Sequence, residues 1–321
     1  LPIQTANGGS ASGFSGGIFV EEAIAKADAL IEAMEYIRRF RGRIVVVKLG
    51  GSVLQDVCLQ KKLLTDIAFM ATVGMQPIIV HGGGKAITSA MNEAGLEAVW
   101  VQGRRYTDER TLTIAEHTLV HKINTPMCQT LTELGCNAMG LHSLSSCVLF
   151  AETLRLNSDD GRKFDLGLVG QVTKVNGELL KTLCAARTIP VIASIAKDKA
   201  GGNLNINADS AAGKVAAEVV AEKLVVVSDT HGILTDLKDP DSRVSSLNES
   251  QIKEMIDAGI IGDAMLPKVE ACLIALDGGA KKAHIIDGRI PHSLLLEIYT
   301  DKGIGTEIIQ NREDGSRKEQ K

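Results

Sequence analysis

Residues 44–52 read Ile44-Val45-Val46-Val47-Lys48-Leu49-Gly50-Gly51-Ser52. An unbroken β-branched run without polar alternation describes a strand buried on both faces, the condition of a parallel sheet. Two glycines close it, at the carboxyl end of the strand, where open parallel sheets take their ligands. Glycines there let backbone N–H groups approach phosphate oxygens, and a lysine at the tip supplies a point charge. The lysine precedes the glycines, so this is not a Walker A loop. Alone, the stretch is equally compatible with a plain strand-to-helix turn carrying a solvated lysine.

Similar runs at 77–80, 189–193, 224–227 and 283–286 alternate with helical patterns at 57–73, 85–94, 109–134, 209–221, 248–258 and 267–277. Such alternation predicts a three-layer αβα sandwich with a mainly parallel central sheet. Residues 152–176 are polar and glycine-rich, consistent with a hairpin laid over the sheet. Upstream, Val20, Ile24, Ala27, Ile31 and Met34 draw one apolar stripe, predicting an amphipathic helix over 19–41 that ends at Gly42. It either covers its own domain or reaches a neighbouring subunit. The implied division is a flexible tail at 1–17, a helix at 18–42, lobes at 43–218 and 219–311, and a charged tail at 312–321.

Composition excludes several classes. The net charge is −4 and aromatics make up 3% of 321 residues, so neither nucleic acid nor an anionic membrane is an expected partner. No apolar run reaches the ~18–20 residues of a membrane span. The six cysteines contain no C-x-x-C pair and read as reduced thiols of a cytoplasmic protein. His117 and His121 stand four apart, but no glutamate of a zincin motif accompanies them, and no metal site is expected. The chain starts at Leu1, implying a trimmed or processed start, and residues 1–17 resemble no leader.

Two further clusters follow strand-like runs. His81-Gly82-Gly83-Gly84-Lys85 offers an amide-rich helix start suited to a carboxylate or phosphate, yet it lacks the G-x-G-x-x-G of a dinucleotide site. Asn205-Ile206-Asn207-Ala208-Asp209 leads into a helix. Asp209 suits a helix N-terminus, but so dense a polar set is costly unless something binds it.

With Gly103-Arg104-Arg105-Tyr106-Thr107-Asp108, Ser228-Asp229-Thr230-His231-Gly232-Ile233-Leu234 and Met265-Leu266-Pro267-Lys268-Val269, these stretches form six motifs in order, and the chain resembles the acetylglutamate kinase family over roughly residues 30–310. The resemblance implies the amino-acid kinase fold in two lobes and transfer of phosphate from ATP, with Mg²⁺, to the side-chain carboxylate of N-acetyl-L-glutamate. The acceptor, with a pKa of ~4.3, is already ionised near neutrality, so no general base is needed. Lys48 and Lys268 would flank the transferring group, with Asp209 holding both ammonium groups. Gly50, Gly51, Ser228 and Asp229 would take the nucleotide, and Gly83, Gly84, Arg105 and Asn205 the acetylglutamate. Lys85, Tyr106 and Ala264 depart from the family's usual proline, valine and glycine.

The ends resemble the arginine-inhibited members. That implies an arginine site from Tyr36, Lys223, His284, Glu297 and Gly303, and N-terminal helices interlaced in a hexamer of three dimers; a PII signalling protein partners some relatives. Two rivals share the fold: a kinase for another small acid such as an aminoadipate derivative, and a catalytically silent arginine-sensing domain. Lys48, Asp209 and Lys268 argue against silence.

Overall fold

β1 (Ile44–Leu49) sits in the middle of an eight-stranded sheet, and its position decides where ligands can bind. The computed structural model describes residues 16–157, 163–299 and 303–310. The other sheet strands are β2 (Gln76–His81), β3 (Asn137–Leu141), β4 (Thr188–Ala193), β5 (Lys223–Ser228), β6 (Ser246–Asn248), β7 (Lys282–Asp287) and β8 (Thr306–Ile309). They lie in the order β6-β8-β7-β5-β1-β2-β4-β3. Only β7 and β8 pair antiparallel; the remaining neighbours are parallel. From β1 the chain winds first toward β2 and later toward β5, so the strand order reverses beside β1. Crevices open at such points.

Nine helices follow the α1 helix (Gly16–Phe40) among the described residues: α2 (Val57–Thr72), α3 (Gly84–Glu93), α4 (Glu109–His117), α5 (Thr125–Glu133), α6 (Gly177–Ala185), α7 (Ala208–Val219), α8 (Glu249–Asp257), α9 (Leu266–Asp277) and α10 (Ser293–Ile298). α6, α7 and α9 pack together over one face of the sheet, while α2 packs with α5 and α10 on the other. Val46, Ile78 and Val80 join the α6–α7–α9 core cluster, and β1 is buried from Val45 to Leu49. The expected three-layer sandwich with a mainly parallel sheet is the observed one.

α7 and α9 cross closely. A Cβ on Gly213 would lie 2.6 Å from the Ala271 carbonyl oxygen, so glycine is required at the crossing. That approach brings the starts of the two helices, with Asp209 and Lys268, to the same region of the sheet's edge.

Several elements differ from expectation. The stretch 109–134 is α4, a π-helical run Thr118–Asn124, and α5 in succession, not one regular helix. Residues 149–153 and 169–175 pair antiparallel as the expected hairpin, but they close a small barrel with 195–197 and 203–206. α1 begins at Gly16, two residues inside the expected tail; the rest of that tail and residues 312–321 lie outside the described residues. The chain separates into two compact units, one ending at Arg39 and one starting at Phe40. Within the first, Val20, Ile24, Ile31 and Met34 of the helix stripe are exposed. No described helix is long and apolar enough to cross a membrane.

Candidate active site

The carboxyl tips of β2, β1, β5 and β7 stand side by side, with His81 level with Leu49, Leu49 with Val227, and Ser228 with Asp287. Two cavities open above them. One, of about 260 Å³, is lined by Lys48, both glycine loops, Arg105, Asn205 and Asp209. The other, of about 530 Å³, lies over β5 and the start of α9 and is lined by Asp229, His231, Leu237, Ile260, Met265 and Lys268 among others.

Lys48 and Asp209 are both buried, and their charges meet at 2.9 Å as an ion pair whose angle is poor for a hydrogen bond. Asp209 sits in the first turn of α7, which Asn207 caps by accepting from the Ser210 amide at 2.9 Å. Lys268 lies in the other cavity and donates to the Ala264 carbonyl at 2.8 Å. Burial lowers its pKa, Asp209 and Asp229 oppose that, and Lys48 adds to it. The two lysines therefore feel one another and share Asp209 electrostatically, though only Lys48 is in contact with it. The departure at 264 leaves the carbonyl that receives Lys268 in place.

The glycine loops are shaped for anions. Gly83 caps α3 with no side-chain hydrogen bond, so the helix's first amides stay open to a ligand. A Cβ on Gly83 would meet Ile123 Cδ1 at 2.6 Å and Leu119 Cδ2 at 2.8 Å, both from the π-helical run. Gly51 holds φ +65°, and a Cβ there would lie 3.3 Å from Asp229 Oδ2, which places the β1 loop against the Asp229 carboxylate. Lys85 reaches to within 3.8 Å of that same oxygen.

Arg105 lines the smaller cavity as a second cation beside Lys48. It is buried, and its Nη2 donates to the Gly84 carbonyl at 2.9 Å and to Thr88 Oγ1 at 2.7 Å. Its guanidinium lies 4.7 Å from the Trp100 ring centroid. Among the described residues it has no carboxylate partner, and burial lowers its pKa. A buried cation with only neutral partners is costly unless an anion completes it. Asn205 donates to Thr107 Oγ1 at 3.1 Å, and that hydroxyl donates to the Arg105 carbonyl at 3.0 Å, so the barrel strand and the Arg105 hairpin form one wall.

Ser228 is the exception among the expected nucleotide residues: it is buried at the tip of β5, outside either cavity lining, and its carbonyl accepts from Gly288 N at 2.9 Å. Sequence reasoning missed Trp100, Thr88, Thr107, and the pair His81–Asn124 beneath the second glycine loop. Gln102 and Gly103, at φ 48° and 70°, turn the hairpin that carries Trp100, and a Gln-Gly pair was the available signal.

The expected arginine-site residues divide. His284 Nδ1 and Glu297 Oε1 are 2.6 Å apart, and Glu297 Oε2 accepts from the amides of Ile304 and Gly305 at 2.7 and 2.9 Å. Burial raises the Glu297 pKa, but His284 and those amides outweigh it and hold the carboxyl below its usual range. A Cβ on Gly303, at φ +55°, would lie 2.8 Å from Glu297 Oε1. Lys223 opens β5 level with Lys282, two residues before His284 on the neighbouring β7, with its ammonium 5.0 Å from the Phe40 ring centroid. Tyr36 belongs to the separate α1 unit.

Residues 43–287 match the amino acid kinase family. The chain is 43% identical over 287 residues to the acetylglutamate kinase of Pelotomaculum thermopropionicum, covering 88% of this chain and 97% of that protein. It is 42% identical over 294 residues to the acetylglutamate kinase of Synechocystis, covering 92% and 97%. An N-acetylglutamate synthase from Neisseria gonorrhoeae, solved with coenzyme A and N-acetyl-glutamate, superposes at TM-score 0.77 and 23% identity over 88% of this chain and 63% of that one. Carbamate kinase from Giardia lamblia bound to AMP-PNP superposes at 0.60 and 15% identity, covering 84% and 99%. At those identities the two structures speak for the fold alone.

Proposed function

The chain belongs to the acetylglutamate kinases of the amino acid kinase family and phosphorylates N-acetylglutamate in arginine biosynthesis, and from that premise we propose how its residues do so. N-acetyl-L-glutamate occupies the cavity of about 260 Å³, with one carboxylate on Arg105 and its other polar end on Asn205, Gly83 and Gly84. The observation that carries this placement is Arg105, buried with neutral partners only. ATP takes the larger cavity, its apolar wall at Leu237, Ile260 and Met265 receiving the base and Lys268 and Asp229 standing at the phosphate end.

The side-chain carboxylate oxygen attacks the γ-phosphorus, the bond to the β-phosphate oxygen breaks, and ADP leaves with that electron pair. Positioning and charge stabilisation dominate such transfers. Lys48 and Lys268 supply positive charge from the two sides, and Asp209 keeps Lys48 from collapsing onto the phosphates. Gly50 and Gly51 offer backbone amides at the end of β1. Mg²⁺ would ride on the phosphates and water, with Asp229, a partly exposed acid in that cavity, able to reach it.

With ATP, Mg²⁺ and hydroxylamine, the protein is expected to give a hydroxamate from N-acetyl-L-glutamate and none from carbamate or N-acetyl-aminoadipate. Product from the longer acid at an equal rate would reassign the acceptor.

We extend the reading to a cytoplasmic, arginine-inhibited hexamer in which α1 helices join dimers, because the α1 stripe is apolar and exposed. Glu297 is then a shared acceptor: a bidentate guanidinium would displace the Ile304 and Gly305 amides from it. Arginine binding would free the segment after Gly303, which offers a route from site to fold. Glu297→Gln is expected to retain turnover and lose at least about tenfold in arginine sensitivity, since charge-assisted hydrogen bonds contribute ~1.5–3 kcal/mol. Removal of residues 1–39 is expected to reduce the sedimenting species to a dimer. Unchanged inhibition, or a hexamer surviving truncation, would remove the respective half of this extension.

A further inference from the structure

The tip of β7 carries a charged group that the site described above does not use. Asp287 is only 1% exposed, yet it is fully engaged. Arg289 forks onto it, Nε to Oδ1 at 2.9 Å and Nη2 to Oδ2 at 2.7 Å, and the Arg289 amide bonds Oδ1 at 2.9 Å. His231 Nδ1 lies 3.0 Å from Oδ2 on the other side, and its Nε2 lies 3.4 Å from Arg289 Nη2. Both His231 and Arg289 line the cavity of about 530 Å³ together with Lys268 and Asp229.

The turn is fixed from below. Gly288 donates to the Ser228 carbonyl at 2.9 Å, and a Cβ there would meet Val53 Cγ2 at 2.8 Å. Asp287 is level with Ser228 across the β5–β7 pair, one residue before Asp229. Arg289 therefore stands on the side of the cavity where Asp229 lies. Asp229 helps to raise its pKa, after the larger effect of the Asp287 hydrogen bonds, which agrees with that placement.

A turn needs only the Asp287 carboxylate and the Arg289 amide. The guanidinium balances the buried Asp287 charge through Nε and Nη2, and the side chain stays 46% exposed. Its Nη1 makes no hydrogen bond among the described residues. A guanidinium held rigidly by a buried acid, with one edge left toward a cavity, is preorganised to receive a phosphate.

We propose that Arg289 is a nucleotide-binding residue of this kinase, oriented by Asp287 and flanked by His231 to grip the polyphosphate of ATP and of the departing ADP. This rests on the reading of the larger cavity as the nucleotide site. Asp287 is the positioning residue and does not touch the nucleotide.

The test compares the full chain with Arg289→Met and Arg289→Lys, titrating ADP and adenosine by calorimetry or ligand-observed NMR. Loss of one charge-assisted contact is expected to weaken ADP binding by about 10- to 100-fold in Arg289→Met. Arg289→Lys, which keeps the charge without the fork, is expected to recover part of it. Adenosine, lacking phosphates, is expected to bind all three alike, and the KM for acetylglutamate to stay within about twofold. Unchanged ADP affinity in Arg289→Met overturns the proposal. So does an equal loss for ADP and adenosine, because that pattern marks a residue that shapes the cavity. If the parent chain gives no hydroxamate from acetylglutamate yet Arg289→Met still loses ADP selectively, the acceptor reading fails and the role of Arg289 stands.

Discussion

Lys48→Met is expected to lower kcat by ~10²–10³, the usual effect of removing one preorganised donor from a transferring group. The KM for acetylglutamate should change little, because Arg105 and the α3 amides hold that substrate independently of Lys48. Stability should fall as well. Lys48 and Asp209 are a buried pair at 2.9 Å, and truncating one partner leaves the other uncompensated, typically at ~3–5 kcal/mol. Lys268→Met separates the two effects. Its ammonium contacts the Ala264 carbonyl rather than Asp209, so the same loss of rate should come with a smaller change in melting temperature. The double variant Lys48→Met/Asp209→Asn should lose less stability than the sum of the single changes, since its neutral pair leaves no orphaned charge. Turnover by hydroxamate formation and thermal melts of five proteins, the parent, Lys48→Met, Asp209→Asn, their double variant and Lys268→Met, would check this. Full additivity, or a kcat unchanged within tenfold in Lys48→Met, would refute the assigned role of the pair.

The central sheet was legible because its interior strands are written as continuous β-branched runs, and burial on both faces demands that composition. β3 was not legible. Its residues Asn137-Ala138-Met139-Gly140-Leu141 include no β-branched side chain, and it is a strand because β4 supplies backbone partners at the sheet's edge. Gly140 is required there by the Asn124 side chain, which a Cβ would strike. The barrel strands at 195–197 and 203–206 escaped for the same reason: three- and four-residue strands are defined by pairing, not by pattern.

The charged members of the site were legible, since Lys48, Arg105, Asp209 and Lys268 each stand in or beside a glycine loop or at a helix start. What was not legible is how they divide. Sequence order cannot say that Lys48 contacts Asp209 while Lys268 turns to its own helix's entry loop, because the α7–α9 crossing and side-chain rotamers decide it. The neutral wall of Thr88, Thr107 and Trp100 was hidden because such residues signal nothing until Arg105 is seen to lean on them.

His81 shows what a buried neutral group contributes, and it carries the second large effect. It is wholly buried, and its Nδ1–H donates to the Gly82 carbonyl at 3.1 Å while Nε2 accepts from Asn124 Nδ2 at 3.0 Å. Asn124 also donates to the Val191 carbonyl at 2.8 Å, tying the loop to β4. The π-helical run sets the register at which Asn124 reaches inward. Burial pushes the His81 pKa down to about 4, against the Gly82 hydrogen bond that raises it. The folded chain thus resists a proton that the unfolded chain accepts near 6.5. The corresponding stability is complete above pH 6.5 and is lost as pH falls toward 4, by up to ~3 kcal/mol. His81→Gln retains a donor and an acceptor but cannot titrate. Urea unfolding at pH 7 and pH 4 should show the parent losing about 3 kcal/mol more than the variant, whose carboxylates titrate alike. Because a protonated His81 cannot accept from Asn124, the glycine loop should loosen first, and the KM for acetylglutamate should rise on the acid side in the parent only. Parallel stability curves for the two proteins would show that the buried imidazole does not govern the acid limb.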